Sequence, residues 1–169
     1  MRLETYDYSI PNAYFITICT KDKQKILWDM EKFNPKTVAD GYEQSVGAII
    51  NRPHALCPIS CYGEMVETFI ADIPNHYNNV IVDQYVIMAN HIHMIIIIMP
   101  DENGRLLIAP TVSRVIKQLK STVTKAAGIQ MWQRSFFDHI IRGHDDYFEI
   151  RKYINENPYK WAYKTVYPD

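Results

Sequence analysis

An α+β fold, with helices packed on an antiparallel sheet, is predicted by three features of this 169-residue chain. β-branched and aromatic runs alternate with helix-period runs in the order β, α, β, β, α, β, α. The two middle β runs are separated only by Ala89-Asn90, and so tight a link joins antiparallel neighbours. The composition, 47% hydrophobic and 22% charged, is that of a globular chain, and the length suits one domain over residues 1–169 with a proper core. A βαββαβ order followed by a terminal helix is that of a ferredoxin-like (RRM-like) sandwich.

Each element has its own signal. Residues 14–20, Tyr-Phe-Ile-Thr-Ile-Cys-Thr, read as the first strand. Residues 21–62 carry Pro35, Pro53 and Pro58, polar turns and short apolar pieces such as 46–50, and read as an irregular, hairpin-like insertion. Residues 64–77 place Met65, Val66, Phe69, Ile70 and Ile73 at helical spacing, with Pro74 interrupting the last turn. Residues 80–88 and 91–99 are two strands, and 101–104 form a loop. A second helix opens at Thr111 or Ser113 as the cap, runs to about Ala127 and stops at Gly128. Residues 135–141 are a fourth strand within the stretch 132–142. Asp145 then caps a last helix that should end near Asn155 or Glu156, because Pro158 disfavours helical geometry at Asn157.

The bulk properties narrow the function classes. Net charge is −1, so any nucleic-acid partner must be met by a local patch and not by a global field. No apolar stretch approaches the roughly 20 residues of a membrane span, and no signal-like apolar segment opens the chain, so a cytoplasmic protein with no membrane partner is expected. Cys19, Cys57 and Cys61 do not form a disulfide framework; reduced thiols are expected, with Cys57 and Cys61 at most half of a zinc site.

The chemistry centres on Met88-Ala89-Asn90-His91-Ile92-His93, which runs into Met94-Ile95-Ile96-Ile97-Ile98. Histidines two apart on a strand share a face, and two imidazoles so placed can hold one metal ion. They could equally be packed core or turn histidines. In the last helix, Tyr153 and Asn157 are four apart on one stripe with Glu149, which would offer a phenol and an amide to the same point. Tyr147, Tyr159 and Tyr163 lie close by, and spacing alone does not choose among them. Between Arg105 and Lys125 there are five basic residues and no acidic one; Arg114, Lys117 and Lys120, three apart, form a stripe that can track phosphates or simply face solvent. Trp132, Phe136 and Phe137 could stack on bases or fill the core. His139 is either a group that orients a ligand or a half-buried strand residue, and His54, His76 and His144 have no claim on the site.

Three segments together carry a resemblance. The His91-Ile92-His93 strand, Trp132-Gln133-Arg134-Ser135-Phe136-Phe137-Asp138-His139 and Tyr153-Ile154-Asn155-Glu156-Asn157-Pro158 are similar to REP-associated tyrosine transposases, which are HUH single-strand nucleases with one catalytic tyrosine. Tyr6-Asp7-Tyr8-Ser9 and Tyr85-Val86-Ile87-Met88 fit the same pattern, so the likeness covers about residues 6–161. The family's Pro before the Asn-His pair is Ala89 here, which alters turn rigidity more than ligand chemistry. The resemblance implies His91 and His93 as metal ligands, Asn157 as the third, and Tyr153 as the nucleophile of DNA strand transfer. It also implies a divalent metal (Mg²⁺ or Mn²⁺), a single-stranded or hairpin DNA partner and a nucleoid-associated location. Monomer and homodimer both stay open. Two rival readings share the fold: a DNA-binding protein that has lost turnover, and a metal-dependent phosphoesterase that needs no tyrosine.

Overall fold

The computed structural model describes residues 12–45, 57–100 and 111–167. Tyr6 and Tyr8, the apolar piece at 46–50, Pro53, His54, the loop at 101–104 and Arg105 lie outside the described residues.

Strands β1 (Asn12–Cys19), β2 (Val80–Ile87), β3 (His91–Ile98) and β4 (Phe137–Ile140) form one antiparallel sheet in the order β2-β3-β1-β4. β3 therefore lies between β1 and β2, hydrogen-bonded to both, as the ferredoxin-like order requires. That central place explains why His91-Ile92-His93-Met94-Ile95-Ile96-Ile97-Ile98 is not an alternating strand: both of its faces are covered. Ile92, Met94, Ile96 and Ile98 join Tyr14, Ile16 and Ile18 in a core roofed by α2 (Cys61–Ala71) and α4 (Val112–Ala127). Ile95 and Ile97 face the other way, into a second core completed by α1 (Pro35–Ser45) and α5 (Gly143–Val166). The short α3 (Ile73–His76) continues α2 past Asp72.

The predicted helix ends hold where caps decide them. Thr111 caps α4 by accepting from the Arg114 amide, and Gly128, at φ 69°, takes the left-handed conformation that closes it. α2 begins three residues earlier than its apolar spacing indicates, because Ser60 accepts from the Gly63 amide at 3.2 Å.

Three expectations are corrected. The insertion at 21–62 is not hairpin-like where it is described. It contains a 3-10 turn at Lys21–Lys23 and helix α1, started by Asn34 accepting from the Lys36 amide ahead of Pro35, and its only strand-like pairing among the described residues is the bridge Trp28↔Ile59. The fourth strand is shorter than predicted, because it pairs with β1 only over Phe137–Ile140; Trp132, earlier in the stretch, forms a separate bridge with Thr20. The last helix does not end before Pro158 but runs through it to Val166, and it starts at Gly143 with no side-chain cap from Asp145. A proline inside a helix costs roughly 3 kcal/mol in isolation. Here Ile150, Ile154, Pro158 and Ala162, each four residues on, form one buried stripe, and burial of that stripe outweighs the lost bond.

Gly63 shows how closely α2 packs. A Cβ there would lie 2.3 Å from the Leu27 carbonyl oxygen and 3.0 Å from Ile59 Cβ. Gly63→Ala should destabilise the fold by about 2–3 kcal/mol through overpacking against backbone, read as a lower urea midpoint with an unchanged slope.

Candidate active site

The alternation of β1 and β3 places Phe15, Thr17, His91 and His93 on the sheet face toward α5. Thr17 and His93 are directly paired across the strands, and Thr17 Oγ1 lies 2.8 Å from His93 Nδ1. The His91 ring stands nearly perpendicular to that of His93, centroids 4.5 Å apart. Its Nδ1 is 2.7 Å from Asn90 Oδ1, while Asn90 Nδ2 donates to the Lys23 carbonyl. The second bond fixes the amide's orientation, so Asn90 presents an acceptor and His91 must carry its proton on Nδ1. Nε2 of His91 thereby keeps its lone pair.

α5 brings the phenol. Tyr153 Oη lies 3.4 Å from His93 Nε2, and Phe15 supports both rings, stacked on His93 and edge-on to Tyr153. Tyr153 remains 43% exposed, so the hydroxyl is reachable from solvent. Of the neighbouring tyrosines, Tyr147 instead donates to Asp83, while Tyr159 and Tyr163 pair with each other. Asn157 sits one turn beyond Tyr153, and its Nδ2 donates to the Tyr153 carbonyl at 3.3 Å, which leaves Oδ1, the atom able to bind a cation, outside that bond. Trp161 packs near His91 and against Trp28.

A bulge in β2 holds α5 in place. The register shifts between Val82 and Gln84, so Asp83 is an extra residue and both it and Gln84 turn toward α5. Asp83 receives Tyr147 Oη at 2.9 Å and Arg151 Nη1 at 3.0 Å; Gln84 Nε2 donates to Asn155 at 2.5 Å. These contacts grip the helix on both sides of Tyr153. Asp83, Gln84, Thr17 and Phe15 were missed by the sequence analysis; only the bulge and the strand register reveal them. Asn90 had a signal, its adjacency to His91.

The site holds its imidazoles neutral. Burial pushes His93 down to about 3, with the neighbouring His91 adding to the shift, and pushes His91 down to about 4, with the Lys23 ammonium adding to it.

Other predicted residues fall elsewhere. Arg114 and Lys117 are exposed on α4, but the Lys120 ammonium is half-buried and donates to the carbonyls of Gln133, Arg134 and Ser135 at 2.6, 3.1 and 3.4 Å. Trp132 and Phe136 pack against the α2/α4 core, whereas Phe137 is exposed. His139 is exposed on β4 and pairs with Asp146 in the first turn of α5. The three cysteines are free thiols, and burial raises Cys57 to about 12.

The fold is thus a four-stranded ferredoxin-like sheet with two strand histidines beneath a helix-borne tyrosine. Residues 59–157, more than half of the chain, match the family described as "Transposase IS200 like", and the chain belongs to that family. Its fold is similar to that of a solved structure described as the REP-associated tyrosine transposase bound to a REP hairpin, with TM-score 0.59 and 19% identity over 95% of this chain and 74% of that one. In sequence it is 29% identical to an uncharacterized protein of Haemophilus influenzae, across 100% of this chain and 92% of that protein. No helix among the described residues is long and apolar enough to cross a membrane.

The neutral imidazoles have a consequence for stability. Their folded pKa values lie below the unfolded value near 6.5, so the unfolded chain binds more protons as pH falls through 6.5 toward 4 and 3. Stability of the metal-free protein should drop by roughly 3–4 kcal/mol between pH 7 and pH 5, a little under 2 for each imidazole. Denaturant titrations at the two pH values should show that loss, and a His91→Asn/His93→Asn double variant should lose most of the difference.

Proposed function

We propose that this chain is a metal-dependent DNA strand transferase that uses Tyr153 as nucleophile on single-stranded or hairpin DNA. The observation that carries the reading is the meeting of Tyr153 Oη with His93 Nε2, beside His91, where helix α5 lies on the sheet. The solved relative in fold was captured with a REP hairpin, which supports DNA as the partner.

The donor set suits a divalent ion. His91 presents a free Nε2 because Asn90 holds its Nδ1 proton, and His93 does the same when its Nδ1–H donates to Thr17. Asn157 Oδ1 would complete two nitrogens and an amide oxygen. Such a set suits Mn²⁺ better than Mg²⁺, though abundance can favour Mg²⁺. The alternative role for His93, as the base that deprotonates Tyr153, is weak on magnitudes. A group with a pKa near 3 gains little from taking the proton of a phenol whose ordinary pKa is about 10. The low value instead lessens proton competition for a ligand lone pair. When bound, the ion would neutralise and orient the scissile phosphate and ease loss of the phenol proton.

The chain's residues then divide the reaction. Tyr153 Oη forms a bond to phosphorus as the bond from phosphorus to the 3′ oxygen breaks. That oxygen leaves as a 3′-hydroxyl with a proton, and the 5′ phosphate stays on Tyr153. A 3′-hydroxyl of another end reverses the step and frees the tyrosine, so the ester is conserved through the transfer. Phe15 and the Asp83–Arg151 grip keep the phenol aimed.

Incubation with labelled single-stranded and hairpin DNA and Mn²⁺ should give a protein–DNA adduct that survives denaturing electrophoresis. Tyr153→Phe should abolish it while DNA binding persists, and His91→Ala or His93→Ala should lower it by about 100-fold or more. Adduct formation by Tyr153→Phe, or hydrolysis of simple phosphoesters unaffected by that change, would overturn the assignment.

Thr17 provides a separate check on the metal. Thr17→Val leaves His93 Nδ1 without its partner, and Mn²⁺ affinity measured by calorimetry should fall about 10-fold or more, with the far-ultraviolet spectrum unchanged.

A further inference from the structure

We propose that a basic groove between the C-terminal half of α4 and the segment 130–134 holds a single-stranded stretch of DNA at the end of the sheet that also carries the candidate active site; this rests on the strand-transfer reading above. The groove encloses about 870 Å³ and is lined by the exposed Lys21, Lys125 and Arg134, with Asp22 as the acidic residue among its described lining. The chain's net charge of −1 makes such a concentration of cations a local feature and not a sample of the surface.

The groove is built before any ligand arrives. Its floor is buried Met131, tied by its carbonyl to the Lys21 amide at 2.7 Å, and the Gln133 amide donates to the Cys19 carbonyl at 3.0 Å. One wall is shaped by Lys120, whose ammonium gathers the carbonyls of residues 133–135. That role removes Lys120 from the predicted phosphate stripe and makes it the support that presents Arg134. At the groove's end, Asp22 and Lys23 adopt φ of 53° and 54°, a backbone conformation costly for non-glycine residues. The turn is held by Thr20 Oγ1 donating to the Gln24 carbonyl and by Asn90 Nδ2 donating to that of Lys23.

The same contacts join the groove to the site. The Thr20 amide donates to the Asn90 carbonyl at 3.0 Å, the Thr20 hydroxyl lies 2.9 Å from that carbonyl and shares its one proton between it and the Gln24 carbonyl, and the Asn90 side chain holds His91. Groove and imidazoles thus lie at the same end of β1 and β3, on opposite faces of the sheet, linked through Thr20 and Asn90. Lys125 stands on one wall, Arg134 on the other and Lys21 at the end. A single strand passing between two cationic walls satisfies all three with its phosphates. A duplex presents a convex backbone and would reach only the rims.

The test is binding to the full chain without metal, measured by fluorescence anisotropy. The probes are a mixed-sequence single strand and a blunt hairpin with no single-stranded flank. Lys21→Ala/Lys125→Ala/Arg134→Ala should weaken single-strand binding about 30-fold and reduce the slope of log affinity against log salt by about 2, close to 0.7 for each lost contact. Blunt-hairpin binding should change less than about twofold, and a Lys36→Ala/Lys164→Ala control should change neither probe by more than about threefold. Unchanged single-strand affinity and salt slope in the triple variant would overturn the proposal, as would an equal loss for the blunt hairpin, which would make the groove a duplex site. The Tyr153 adduct assay on the unaltered chain separates the two readings. An adduct with no groove effect removes only the groove; a groove effect with no adduct removes only the chemistry.

Discussion

Everything at the candidate site depends on how α5 lies across the sheet. The histidines belong to β3 and the tyrosine to a helix 60 residues further on, so their meeting is a property of docking. Two kinds of contact make it. The stripe Ile150, Ile154, Pro158 and Ala162 buries against the strand face, which supplies most of the free energy without directing the helix to a single position. The bulge at Asp83 supplies direction, because an ion pair and hydrogen bonds from two successive residues to Tyr147, Arg151 and Asn155 can be satisfied in only one register. One residue inserted into an edge strand thus sets where the Tyr153 phenol stands.

The polar site sits in an apolar sheet, and its hydrogen bonds decide what it can do. Buried imidazoles without partners would be a cost. Here each Nδ1 has a neighbour, Thr17 or Asn90, and His93 Nε2 faces the phenol with the His91 ring beside it. Burial holds both histidines neutral at neutral pH, the state that the proposed ligand role would need. The same low polarity that would destabilise an imidazolium strengthens the interaction of a bound cation with a phosphate.

The two faces of the sheet divide the work. The α2/α4 face is the larger apolar core, while the α5 face carries the histidines, Thr17 and Tyr153 of the candidate site. Sheet end and helix end come together at Thr20, Asn90 and Lys21, where the basic groove adjoins the histidine-bearing strand. A transposase must bind a long polyanion and act on one phosphate of it. On the proposed reading, the basic groove and the candidate site at one end of a rigid sheet would meet both needs with one framework.

Much of this was legible in the sequence. Apolar period, caps and the Ala89-Asn90 turn are local quantities, so the strands, the start and stop of α4, and the sharing of one face by His91 and His93 could be read directly, and the sheet order with them. Features that depend on distant partners could not. Pro158 marks a helix end locally, yet the buried stripe on either side carries α5 through it. Asn34-Pro35 opens a helix inside a stretch whose prolines suggest turns. Lys120 belongs to a basic stripe by spacing, yet the nearby loop carbonyls capture its ammonium. Thr17, 76 residues from His93, becomes its partner only through strand register. The sequence by itself determined which residues could share a strand face or a helix face, because those periodicities follow from backbone geometry alone. Only the tertiary structure decided which faces meet, because that choice rests on the burial of apolar stripes and on one bulge, whose energies involve residues far apart in the chain.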